Sequence, residues 1–124
     1  MTATEIQKYL NTIKSILASH GRLQVLFNRD KNSTFRYLYN ITKSDVEEVI
    51  RTLEVSDFIK TEYSKNNKFK GRKLYFFAPI RTYNAANGRK DTMKLYVKID
   101  LYEDNKMIVV VSFHEYNDYS EEVN

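Results

Sequence analysis

The stretch MKLYVKIDLYEDNKMIVVVSFH, Met93 to His114, decides the fold. Met93, Leu95, Val97, Ile99 and Leu101 alternate with Lys94, Tyr96, Lys98, Asp100 and Tyr102, the period of a strand with one face in the core. Met107 to Phe113 is apolar at nearly every position and rich in β-branched residues, as a central strand covered on both sides would be. A turn at Glu103–Asn105 joins the two. A three-residue loop pairs Leu101 with Met107, Ile99 with Val109, Val97 with Val111 and Leu95 with Phe113, so one face is wholly apolar. The same register sets Tyr96 opposite Ser112 and Lys94 opposite His114, with Lys98 beside them. A two-residue loop would turn His114 in among the leucines. The longer loop is preferred because it separates polar from apolar residues.

Working outward, the chain of 124 residues is long enough for one core, and one domain spanning 1–124 is expected. With 42% hydrophobic and 14% aromatic residues it is not a disordered sequence. The absence of cysteine excludes disulfides and thiolate metal sites and fits a cytoplasmic protein. No stretch resembles a signal peptide or a membrane span, so a soluble protein with no membrane partner is expected.

Thr2 with Glu5 forms a capping box before a helix whose stripe is Ile6, Leu10, Ile13 and Leu17, with Gly21 placed to end it. Arg22–Phe27 reads as a strand and Asn28–Asn32 as a polar turn. Ser33 or Thr34 is placed to cap a short helix through Phe35, Leu38 and Tyr39. Thr42 with Asp45 opens a helix burying Val46, Val49, Ile50 and Leu53. Thr61–Arg72 reads as a loop or irregular hairpin, Lys73–Pro79 as a strand, and Asn87-Gly88 as a turn. Residues 117–124 read as a frayed acidic tail. The expected fold class is α+β, a mostly antiparallel sheet packed against helices.

Charge is unevenly distributed. Lys60 to Lys98 holds eleven Lys or Arg against Glu62 and Asp91, a local +9, while 99–124 carries a local −6. A basic band interleaved with aromatics is an expected footprint for a polyanion. There is no P-loop, no GxGxxG and no HExxH. The only histidines are His20 and His114. No cofactor and no metal site are expected. His20, at the end of the first helix, reads as a cation near a helix C-terminus. His114 ends the last strand, at the sheet edge, on the face of Tyr96, Lys94 and Lys98. Imidazole, phenol and ammonium groups suit RNA cleavage without a metal: a base for the 2′-OH, a cation for the crowded phosphate, an acid for the leaving oxygen. Tyr63, Tyr75 and Phe69 are candidates for stacking on bases.

Four segments, NRDKN at Asn28–Asn32, LEVSDFIK at Leu53–Lys60, KLYVKI at Lys94–Ile99 and VVSFHEY at Val110–Tyr116, carry a resemblance. In this order and spacing they resemble the motility quorum-sensing regulator family of bacterial mRNA-cleaving toxins, which has the RelE-like ribonuclease fold. The resemblance implies a toxin of a type II toxin–antitoxin system, an endoribonuclease whose partners are mRNA and a cognate antitoxin of helix-turn-helix type. It implies Lys60, Tyr96 and His114 as active-site residues, the last at a position where some members have lysine and others histidine. The family's glutamine before the proline-ended strand has no counterpart in Lys70–Leu74, and Arg72 or Lys73 is the candidate for that position. Arg72, Lys73, Lys94 and Lys98 are then expected to bind RNA. The rival reading is a non-catalytic RNA- or protein-binding module on the same fold.

Overall fold

Thr2 and Glu5 close the expected box: Glu5 N donates to Thr2 Oγ1 at 3.1 Å and Thr2 N to Glu5 Oε1 at 2.9 Å, opening α1 (Ala3–Ala18). The computed structural model describes residues 1–65 and 71–116. The expectations for Lys68, Phe69, Lys70 and the tail 117–124 fall outside them. The buried stripe of α1 is Ile6, Leu10, Ile13 and Ile16, with Leu17 only partly covered. The helix ends differently from expectation. His20 takes the left-handed conformation (φ 61°). Gly21 is needed for closeness instead: a Cβ there would lie 2.3 Å from Ile16 Cγ2 and 2.9 Å from Lys106 O.

β1 (Arg22–Val25) follows, two residues shorter than expected. α2 (Asp30–Tyr39) begins inside the segment read as a turn. Its N-cap is Arg29, without a side-chain cap bond, so neither Ser33 nor Thr34 caps it. Asn40, at φ 51°, ends it. α3 (Lys43–Arg51) opens on the Thr42–Asp45 box and buries Val46, Val49 and Ile50. A 3-10 turn, Val55–Asp57, leads into β2 (Phe58–Tyr63), so the start of the segment read as a loop is strand. β3 (Lys73–Phe77) and β4 (Ile80–Asn84) lie end to end along one edge of β5 (Lys90–Tyr102). Pro79 separates them because it has no N–H for the ladder, yet its carbonyl still accepts from Leu95 N at 2.8 Å. β6 (Met107–Glu115) closes the set.

The result is a single α+β domain with three helices and a mixed six-stranded sheet, order β1-β6-β5-β3-β2, with β4 pairing β5. Only β1 and β6 run parallel among these pairs. Helices cover one face, where Leu95, Val97, Ile99, Ile108, Val110 and Phe113 meet Leu10, Ile13, Val46 and Ile50. The other face carries a smaller cluster, Leu74, Phe76, Val109 and Val111. β6 is apolar at nearly every position because it feeds both. No helix among the described residues is long and apolar enough to cross a membrane.

The β5–β6 register corrects the expected one. Tyr102 pairs with Met107, Leu101 with Ile108 and Ile99 with Val110, so the turn spans Glu103–Lys106, with Lys106 at φ 49°. The register then shifts between Lys98 and Ile99, one extra residue entering β6, and Lys98 pairs with Ser112, Val97 with Phe113, Tyr96 with His114. A bulge of this kind lets two residues oppose one. It restores the separation of faces that a regular ladder from this turn would have lost.

Candidate active site

Alternation along β5 puts Lys94, Tyr96, Lys98 and Asp100 on the face away from the helices. The bulge brings Ser112 and His114 to the same face. Tyr96 and His114 are therefore direct cross-strand partners, with ring centroids 5.1 Å apart and planes at 33°. Ile80, not His114, is the partner of Lys94. The Lys94 ammonium lies 5.2 Å from the Tyr116 ring, which meets Tyr96 edge-on at 5.8 Å.

One row crosses four strands: Lys60 on β2, Phe76 on β3, Lys98 on β5 and Ser112 on β6 are successive partners. Both ammonium groups sit near the Phe76 ring, Lys60 Nζ at 4.9 Å and Lys98 Nζ at 5.3 Å. Ring quadrupoles attract cations at this range. Lys98 also lies 5.8 Å from the Tyr96 ring centroid. Lys60 donates to Glu62 at 3.0 Å, and this bond, helped by the nearby charge of Lys98, holds the Glu62 carboxyl below its ordinary value.

The site is covered rather than open. Lys98 and Ser112 are fully buried and His114 is 3% exposed, so His114 is not the open edge residue the sequence suggested. His114 Nδ1 lies 3.0 Å from Glu115 O. A carbonyl only accepts, so Nδ1 carries hydrogen in that contact and the neutral ring keeps its lone pair on Nε2. A cavity of about 200 Å³ between α2 and the end of β6 reaches this residue, lined by Phe35, Leu38, Tyr39, His114 and Glu115 among others.

Two expected ligands do not join the cluster. Arg72 is committed to Asp100: Nε and Nη2 each reach Oδ1 at 3.0 Å, Nη2 donates to Leu101 O at 2.8 Å, and the guanidinium lies 3.9 Å over the Tyr102 ring. The hydrogen bond to this buried carboxylate pushes Arg72 above its ordinary value. Lys73 lies on the helix side, 5.6 Å from the Tyr75 ring. Tyr75 itself stacks on Tyr9 at 3.5 Å and is packing, whereas Tyr63 is 66% exposed on β2.

Sequence reading missed Asn32. It was assigned to a turn, yet it is buried in the first turn of α2 and bonds to β6 on either side of Ser112. No local signal marks it, because its sequence neighbours Arg29, Asp30, Lys31, Ser33 and Thr34 are polar and its partners lie about eighty positions away. Among the described residues no group of three or more His, Asp or Glu is arranged to hold a metal ion.

Compared with protein-family models, curated proteins and solved structures, the chain matches none of them.

Proposed function

We propose that this chain is an endoribonuclease that cuts mRNA without a metal, acting as the toxin of a type II toxin–antitoxin pair on a RelE-like variant of the α+β fold. The observation that carries the reading is the Tyr96–His114 ring pair beside the Lys98 and Lys60 ammonium groups. An imidazole and a phenol able to exchange protons, next to two cations, are the minimum set for internal attack by a ribose hydroxyl.

In the proposed reaction a general base takes the 2′-OH proton as O2′ bonds to phosphorus. The bond from phosphorus to O5′ breaks, and a general acid protonates the leaving O5′. The products are a 2′,3′-cyclic phosphate and a 5′-hydroxyl. His114 exchanges one of these protons through Nε2, and Tyr96 positions the phosphate or exchanges the other. Lys60 and Lys98 offset the charge of the phosphorane, and Lys94 holds the RNA backbone nearby. An antitoxin protein is the expected second partner.

Burial of Lys98 and His114 favours a second reading, an RNA- or protein-binding module without catalysis. Incubation of the purified protein with end-labelled RNA in excess chelator separates the two. Fragments ending in a cyclic phosphate support the nuclease. Retardation of intact RNA supports the module.

A further inference from the structure

We propose that Asn32 is a positioning residue for His114, holding β6 in the bulged register that turns Ser112 and His114 toward Tyr96; its catalytic consequence rests on reading that face as the site of RNA cleavage.

The parallel pair β1–β6 ends at Val25 and Val110. In a parallel ladder each residue bonds the carbonyl before and the N–H after its partner on the neighbouring strand. Beyond Val110 the chain of β1 has turned away, and a side chain takes over. Asn32 Nδ2 donates to Val111 O at 2.9 Å, and Asn32 Oδ1 accepts from Phe113 N at 2.9 Å. These two groups flank Ser112, so the carboxamide stands where the peptide of a longer β1 would stand. Nδ2 also donates to Leu26 O at 2.9 Å, which ties the clamp to the end of β1.

The clamp selects the bulge. In a regular strand successive residues turn their polar groups to alternate edges. Val110 O faces β1, where Leu26 N donates to it at 3.1 Å. Without the extra residue Val111 and Phe113 would face β5, and Asn32 would meet neither. Continuing the turn's register without the bulge would set Tyr96 opposite Phe113 and His114 opposite Leu95. Asn32 is 1% exposed, so groups released from it would find no water in its place.

The test uses Asn32→Leu and the milder Asn32→Ser, with Ile41→Ala as a core control. Contact between the Tyr96 and His114 rings is read from cross-strand nuclear Overhauser effects, and protection of the Phe113 amide from hydrogen exchange. In folded Asn32 variants we expect both signals to be lost and RNA cleavage to fall about 100-fold, the scale of an ångström-sized misplacement. Ile41→Ala should keep both signals despite a lower melting temperature. A folded Asn32 variant that keeps the ring contact and the protection overturns the proposal. In the unaltered chain Phe113 N–H should exchange as slowly as the amides of β5. Fast exchange there overturns the proposal even if neither variant folds. An unaltered chain that never cuts RNA removes the nuclease reading alone, because ring contact and exchange still decide whether Asn32 sets the register.

Discussion

Tyr9 carries a buried hydroxyl with no hydrogen-bond partner among the described residues, while its ring stacks on Tyr75. Burial pushes this phenol well above its ordinary value. An unmet buried donor costs stability, so Tyr9→Phe should raise unfolding free energy by about 1 kcal/mol in urea titration. A loss of similar size would show that the hydroxyl has a partner. Residue chemistry was the part of the site best read from sequence. Tyr96 and Lys98 share a face because alternation along β5 is visible in the residues themselves, whereas His114 joins them on β6 only through the bulge. Arg72 was misread because its partner, Asp100, lies 28 positions away and looks like any surface aspartate. Asn32 escaped for the same reason, since a polar residue beside Arg29, Asp30 and Lys31 reads as solvent-facing.

At the scale of elements, capping boxes and apolar periodicity located α1 and α3, because those signals are local. The start of α2 was missed because it has no side-chain cap. The run Met107–Phe113 hid its own bulge: an unbroken apolar strand shows no parity, so nothing in it marks where one residue is extra. The turn before it is also one residue longer than expected, and the two errors cancel at Tyr96 and His114, leaving both on the expected face. The α1–β1 junction makes an independent prediction. Gly21 N donates to Ile16 O at 2.8 Å, and Arg22 N to Lys106 O at 3.0 Å, drawing the junction against the β5–β6 turn. A methyl group at Gly21 would collide with backbone oxygens on both sides. Gly21→Ala should therefore destabilise the fold by about 1–3 kcal/mol, the range for overpacking. An unchanged urea midpoint would mean that α1 and the turn can part at no cost.

Two predictions belong to the whole molecule. The first concerns alkali. Burial pushes the Tyr83 phenol up to about 12, and Tyr9 is raised as well. Their unfolded values stand near 10. A raised folded value stabilises the fold fully below the unfolded value and is lost as pH rises through the folded one. Stability should therefore fall from pH 10 to about 12, measured as a declining urea midpoint, and Tyr83→Phe should lessen the decline. A flat profile in the unaltered chain would contradict the burial of these rings. The second concerns salt. Lys60, Arg72 and Arg89 already hold carboxylates, so the basic band is weaker as a polyanion surface than its +9 suggests. Lys90 and Lys94, with Lys98 beneath, still line one side of β5. RNA affinity should fall with salt at a log–log slope of about −2 or steeper, the response for three or more neutralised phosphates on a single strand. A slope near zero would place RNA elsewhere or nowhere.

In the proposed reaction His114 moves a proton rather than merely filling space. Because its ring is buried, alanine would remove packed volume, and His114→Gln keeps most of it. The decisive measurement is the single-turnover cleavage rate of labelled RNA by the unaltered chain and by His114→Gln in excess chelator, with circular dichroism melting of the same samples. The expected result is metal-independent cleavage by the unaltered chain and a variant slower by about two to four orders of magnitude while still folded. Equal rates for the two proteins, or RNA bound and left intact by the unaltered chain, would contradict it.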